Sequence, residues 1–258
     1  MKGPAGVTAL VLGEVAAGGV AFLFLTPLWN EVRRGFFTLT GLVILVAAVA
    51  AWRSAAAGLV EGSESGLWAM RLAGALAGVT LLWVVLLLLR RAAATRVVGV
   101  VSVPLSAAML AAMAGTAEGS AIVGFLQLLA GATFLGAVTD GLLLGHWYLT
   151  DRGLSRTPIN RSTTFLIVAV VAETAAVIGG GFGPTRASSE FNPLLTSAGL
   201  ASWIALGMVA ATALIAGLIR ASLRGTRASA VQAATGFFYL AVITAITAEF
   251  AAKVRFLP

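Results

Sequence analysis

Four carboxylic acids, Glu14, Asp140, Glu173 and Glu249, stand inside apolar stretches long enough to cross a bilayer. An ionisable side chain at membrane depth costs roughly 2.5–3.5 kcal/mol on insertion scales, so such residues usually face a bundle interior and mark routes for protons, ions or polar headgroups. Few charges are available to be placed anywhere: 10% of residues are charged and 59% are hydrophobic. Acids set within the apolar runs therefore point to proton transfer, which needs groups able to exchange a proton near the operating pH.

The segment 140–152, DGLLLGHWYLTDR, is the richest. Asp140 and His146 are six residues apart, about 9 Å along a helix. That spacing does not put them on one face, since i,i+3 and i,i+4 pairs are the ones that align. They fit two depths along one proton route instead, with His146 able to shuttle protons near neutrality. Trp147 and Tyr148 can wall a headgroup pocket beside them, although aromatics also collect at membrane interfaces as anchors.

Glu14 lies in VLGEVAAGG, where Gly13, Gly18 and Gly19 let another helix come close and enclose the acid in protein. Glu173 lies near the middle of its apolar run, in VVAETAAV. Either can serve a proton route or bridge to a neighbouring helix as packing glue. Glu249 has Lys253 four residues on, which predicts a pair on one helix face reaching toward the outer interface as an anchor.

Composition excludes much else. A mean hydropathy of +0.99 is outside the range of water-soluble domains. Cysteine is absent, so the chain carries no disulfide, thiolate metal site or Fe–S cluster of its own. The single histidine, His146, excludes a haem held by two histidines of this chain and any multi-histidine metal site. Its two lysines, Lys2 and Lys253, stand near the chain ends, which speaks against a retinal-type Schiff base. There is no phosphate-binding glycine loop, no Ser-His-Asp arrangement and no nucleic-acid module. The net charge of +7 sits in short connections, where Lys and Arg act as topology signals and contacts for anionic lipid.

The elements that must position these residues are apolar runs of about 17–25 residues. Eight are expected, at 5–28, 36–52, 67–89, 97–114, 121–149, 163–182, 198–219 and 229–252. The first is too long for a signal peptide and contains Glu14, so it is expected as a retained helix. The chain is predicted to be an all-α integral membrane protein with one polytopic domain over 1–258. Longer connections are expected at 54–66 and 183–197. Eleven of the 17 basic residues follow odd-numbered helices, which predicts both termini outside the cytoplasm; the inner membrane of a prokaryote is the expected location.

Shifting the chain by 131 residues superposes Thr26-Pro27 on Thr157-Pro158, Thr95-Arg96 on Thr226-Arg227, and Thr116-Ala117-Glu118 on Thr247-Ala248-Glu249. Those matches suggest two parallel four-helix halves, 1–120 and 121–258.

Eight helices, a 4+4 division, scattered intramembrane acids and the closing AEFAAKVRFLP of 248–258 resemble quinone-interacting membrane subunits of the NrfD or polysulfide-reductase type. That resemblance implies a subunit without a redox cofactor of its own, which binds menaquinone or ubiquinone beside partner subunits carrying Fe–S clusters or haem. The expectation is a quinone headgroup docked near Asp140, His146 and Tyr148, with protons passing through Asp140, Glu173 and Glu14. Such a chain is not an enzyme alone but a membrane component of a respiratory complex. Two rivals use the same acids: a proton-coupled secondary transporter, for which Pro104 and the Gly179–Gly181 run hint at helix interruption, and a non-catalytic anchor or assembly subunit.

Overall fold

A computed structural model describes residues 1–117, 119–151, 153–182, 199–225 and 229–257. The helices are α1 (Gly3–Leu25), α2 (Leu28–Glu31), α3 (Arg34–Ala57), α4 (Glu64–Leu88), α5 (Ala92–Ala114), α6 (Ala121–Thr150), α7 (Thr157–Gly179), α8 (Leu200–Leu223) and α9 (Ser229–Lys253). All but α2 are long and apolar enough to cross a membrane, as the eight expected runs require. This is a multi-pass, all-helical membrane protein.

Local chemistry sets the boundaries. Pro27 caps the one-turn α2 after Thr26 leaves helical geometry, which stops α1 three residues short of the expected 28. Pro158 sits in the first turn of α7, where its missing N–H is no loss, so the helix begins at Thr157 rather than at 163. Ser63 accepts a hydrogen bond from the Gly66 amide (3.1 Å) and starts α4, and α3 runs on to Ala57, so the connection between them is shorter than 54–66. The helix α5 continues through Pro104, and Gly179–Gly181 marks the end of α7, so neither interrupts a span. The connection expected at 183–197, together with Glu118, Arg152, Arg186, Glu190 and Arg227 of the charge pattern, lies outside the described residues.

The helices pack as two rings. In one, α1, α3, α4 and α5 each contact the next and α5 closes on α1; in the other, α6, α7, α8 and α9 do the same and α9 closes on α6. The first helices of the rings, α1 and α6, meet in the middle, flanked by α5 against α6 and α1 against α9. Their crossing is glycine on glycine: a Cβ on Gly18 would fall 1.9 Å from the Ala132 carbonyl oxygen, and one on Gly136 would fall 2.6 Å from the Gly18 carbonyl carbon. Close backbone approach through small residues is the means by which helices associate in lipid. As a result α1 is the most enclosed of the long helices, and Glu14 on it is surrounded by protein.

Both chain ends lie on one face of the bundle, where Gly6 lies against Leu257 and the Lys2 amide bonds the Gly58 carbonyl at 2.9 Å. Below, this end is the terminal face. At the other end, the arginine-rich face, the acids are paired: Arg161 grips Glu31 with both terminal nitrogens, and Arg33 Nε is 3.1 Å from Asp151. Trp29 stacks on Phe37 with ring centroids 4.1 Å apart, and Trp83 meets Trp29 edge-on.

Candidate functional site

Three of the four intramembrane acids converge. Glu14 from α1, Glu173 from α7 and Glu249 from α9 gather around Lys253 at the last turn of α9, and all four residues are buried. Lys253 Nζ lies 2.8 Å from Glu14 Oε1 and 2.8 Å from Glu249 Oε2. Glu173 stands within electrostatic reach of Glu249, Lys253 and Glu14. The i,i+4 pairing of Glu249 with Lys253 is the one expected. Its setting is not: Lys253 is 2% exposed and points into the bundle rather than out to the interface. The reason is charge: the carboxyls of Glu14 and Glu249 hold its ammonium inside the bundle.

Room for the cluster comes from α6. A Cβ on Gly131 would lie 2.4 Å from Glu14 Oε1 and 2.9 Å from Glu249 Oε2, so only a glycine there leaves the two carboxyls their places. Glu14 Oε2, Glu173 Oε2 and Glu249 Oε1 are enclosed without a hydrogen-bond partner among the described residues. Three carboxyls and one ammonium, all ionised, would leave two surplus negative charges in a low-dielectric interior. That surplus must be cancelled by bound protons or cations.

A cavity of about 210 Å³ at the terminal face has Glu173 and Lys253 of this cluster in its lining. Ser120, Gln127, Glu173, Gly180, Ser202, Lys253 and Arg255 contribute to its lining. Arg255 Nη1 donates to Ser202 Oγ at 2.6 Å, and Ser202 Oγ donates to the Gly181 carbonyl at 2.9 Å, so the mouth is polar and braced. Burial holds the Arg255 guanidinium below its ordinary value.

The other expected site residues lie elsewhere. Asp140 on α6 is buried beside Ser162 and within range of Arg161, and its Oδ1 has no hydrogen-bond partner among the described residues. It stands nine residues beyond Gly131, about 13 Å along the helix toward the arginine-rich face. Tyr148 is buried, and its hydroxyl donates to the Ser155 carbonyl. His146 is exposed on the outer surface of α6, where Nδ1 lies 3.2 Å from the Tyr239 hydroxyl. Asp140 and Tyr148 thus both lie buried against the start of α7, within range of Arg161, while His146 is turned outward, and none of the three lines the cavity.

In the sequence Glu14 and Glu173 stand out as acids in apolar runs and Glu249 with Lys253 as an interfacial pair, whereas Gly131, Gln127 and Ser202 carry no signal of a part in the site. Only the spacing of Glu249 and Lys253 signalled the pairing, and nothing local signalled where it points. Compared with known protein families, with curated proteins and with solved structures, the chain finds no match.

Proposed function

We propose that the protein is a proton-coupled secondary transporter, in which protons enter from the terminal face and load the Glu14–Glu173–Glu249–Lys253 cluster. The observation that carries this reading is the polar cavity at the terminal face that has Glu173 and Lys253 in its lining. Access from one face to a buried ionisable cluster is what alternating access requires of a proton-coupled carrier in one of its states. Glu173 is the entry group, because it alone of the three acids lines the cavity. Lys253 then holds the two inner carboxyls in register, so that protonation of one loosens its pairing and transmits the change to α1 and α9. Purified protein in liposomes should take up protons down an imposed pH gradient when the right solute is supplied. Glu173→Gln should abolish that uptake while the protein still purifies as wild type does, and unchanged uptake would remove the cluster from the mechanism.

A quinone-linked membrane subunit is the second reading, favoured by the hydrogen-bonded His146–Tyr239 pair on the outer surface of the bundle. An imidazole and a phenol there offer a lipid-borne headgroup both a donor and an acceptor. Copurification in mild detergent separates the two: a cofactor-bearing partner chain supports the quinone reading, and a protein that purifies alone yet moves protons supports the transporter.

A further inference from the structure

A second cavity, of about 250 Å³, lies at the arginine-rich face between the α1–α3 and α4–α5 connections. Four arginines line it, Arg34, Arg90, Arg91 and Arg96, with Trp29 and Phe37 as its aromatic wall. Arg96 lies over the Trp29 ring at 5.9 Å from the centroid, which fixes one guanidinium by cation–π attraction. Among the described residues no carboxylate lines the cavity and none of the four arginines forms an ion pair. The acids that are described at this face, Glu31 and Asp151, are engaged by Arg161 and Arg33. The cavity also touches Ala92 at the start of α5, whose N-cap residue Arg91 supplies no side-chain acceptor for the first-turn amides. Arg90 adopts φ +60, in the left-handed region uncommon for a residue other than glycine, and it is one of the residues lining the cavity.

We propose that this cavity is a binding site for a phosphate group, held by Arg90, Arg91 and Arg96 and supplied by the headgroup of an anionic lipid. Guanidinium groups match phosphate oxygens in pairs, and four exposed arginines around one cavity, with Arg96 fixed over Trp29, offer an anion several such contacts at once. The positive-inside rule accounts for arginines at this face, but not for four of them around one cavity from which acids are missing. The lipid is favoured over a soluble phosphate ester because Val32, Phe37 and Leu87 give the cavity apolar walls at the level where helix ends meet headgroups. This inference is independent of the transport reading.

The test uses the full chain purified in detergent, with phosphatidylglycerol as the probe and phosphatidylcholine as the uncharged comparison, read by native mass spectrometry. Wild type should retain phosphatidylglycerol through delipidation. The triple variant Arg90→Gln, Arg91→Gln, Arg96→Gln should lose about a hundredfold in affinity. Arg220→Gln with Arg224→Gln, two charges at the same face but outside the cavity, should bind as wild type does. Melting without lipid identifies any variant that has failed to fold, and Arg96→Gln alone, with a smaller loss of affinity, then carries the test. Inorganic phosphate that displaces the lipid from wild type would support the phosphate site and assign it to soluble esters as well. Lack of displacement would assign it to lipid. Equal phosphatidylglycerol binding by wild type and the triple variant, or an equal loss in the Arg220/Arg224 control, would overturn the proposal.

Discussion

Lys253 Nζ and Glu14 Oε1 stand 2.8 Å apart, although the two residues come from the last and the first long helices of the chain. The contact ties the C-terminal ring to the central helix of the N-terminal ring. It is also the kind of contact whose removal is worse than its absence, because each partner left alone is a buried, uncompensated charge. Lys253→Met should therefore destabilise the protein by about 3–5 kcal/mol. Adding Glu14→Gln should recover part of the loss, since a neutral amide no longer needs the ammonium. Denaturant titration in detergent of the two single variants and the double variant gives the coupling directly. Additive losses would mean that Lys253 and Glu14 do not act as a pair.

Most of the fold was legible in the sequence because the bilayer forces it: each span needs a long apolar run, and eight runs gave eight helices. The boundaries were less legible where proline changed meaning with position, stopping α1 at Pro27 but starting α7 at Pro158. The site was half legible. Glu14 and Glu173 stand out as acids in apolar runs, yet their meeting with Glu249 and Lys253 depends on the packing of α1, α7 and α9 around α6. A single helix carries no record of that packing. For the same reason Lys253 looked like an interfacial anchor: four residues of spacing reveal the partner and not the direction. Asp140, His146 and Tyr148 are neighbours in sequence, but helical rotation turns His146 to the outer surface while Asp140 and Tyr148 stay buried against α7.

Gly131 tests whether the cluster needs its geometry. In Gly131→Ala the new methyl would meet Glu14 Oε1 at 2.4 Å and Glu249 Oε2 at 2.9 Å, so the carboxyls must leave their contacts with Lys253. A stability loss of about 1–3 kcal/mol is expected from the crowding, with proton uptake reduced beyond what that loss explains. Gly78→Ala, which meets nothing within 4 Å, is the control and should be neutral or slightly stabilising. Wild-type uptake in Gly131→Ala would show that the side chains can rearrange without consequence.

The α1–α6 crossing offers a sharper structural test. Alanine at position 18 would put its methyl 1.9 Å from the Ala132 carbonyl oxygen, and backbone cannot step aside as a side chain can. Gly18→Ala should push the two rings apart and lower the melting temperature in detergent more than Gly131→Ala or Gly78→Ala does. A melting temperature equal to that of Gly78→Ala would contradict the crossing.

Orientation of the bundle can be read on this cysteine-free background. Single cysteines at Gly62 and Ser120 occupy the terminal face, and those at Ala93 and Gly153 occupy the arginine-rich face. If the arginine-rich face is cytoplasmic, as the charge bias implies, an impermeant maleimide added to intact cells should label the first pair and spare the second. The reverse pattern would turn the proton entry toward the cytoplasm and leave the geometry of the cluster untouched.

Glu173 and Asp140 make contrasting predictions because one lines the cavity and the other does not. Glu173→Gln keeps size and hydrogen-bonding capacity, so the fold should survive, while the entry group loses its ability to carry a proton. Uptake from the terminal face should fall by at least about a hundredfold, the lower end of what a positioned proton-transfer group contributes. Asp140→Asn removes a group about 13 Å beyond Gly131 along α6, outside the lining of the cavity. If Asp140 belongs to the second half of the route, proton binding from the terminal face should persist in this variant while net transfer across the bilayer fails. If it only braces α6 against Ser162 and Arg161 of α7, Asp140→Asn should be nearly silent and Asp140→Leu destabilising. Measuring proton binding and net transfer separately in both amide variants decides between these outcomes, and full net transfer in Asp140→Asn would confine the proton route to the cluster.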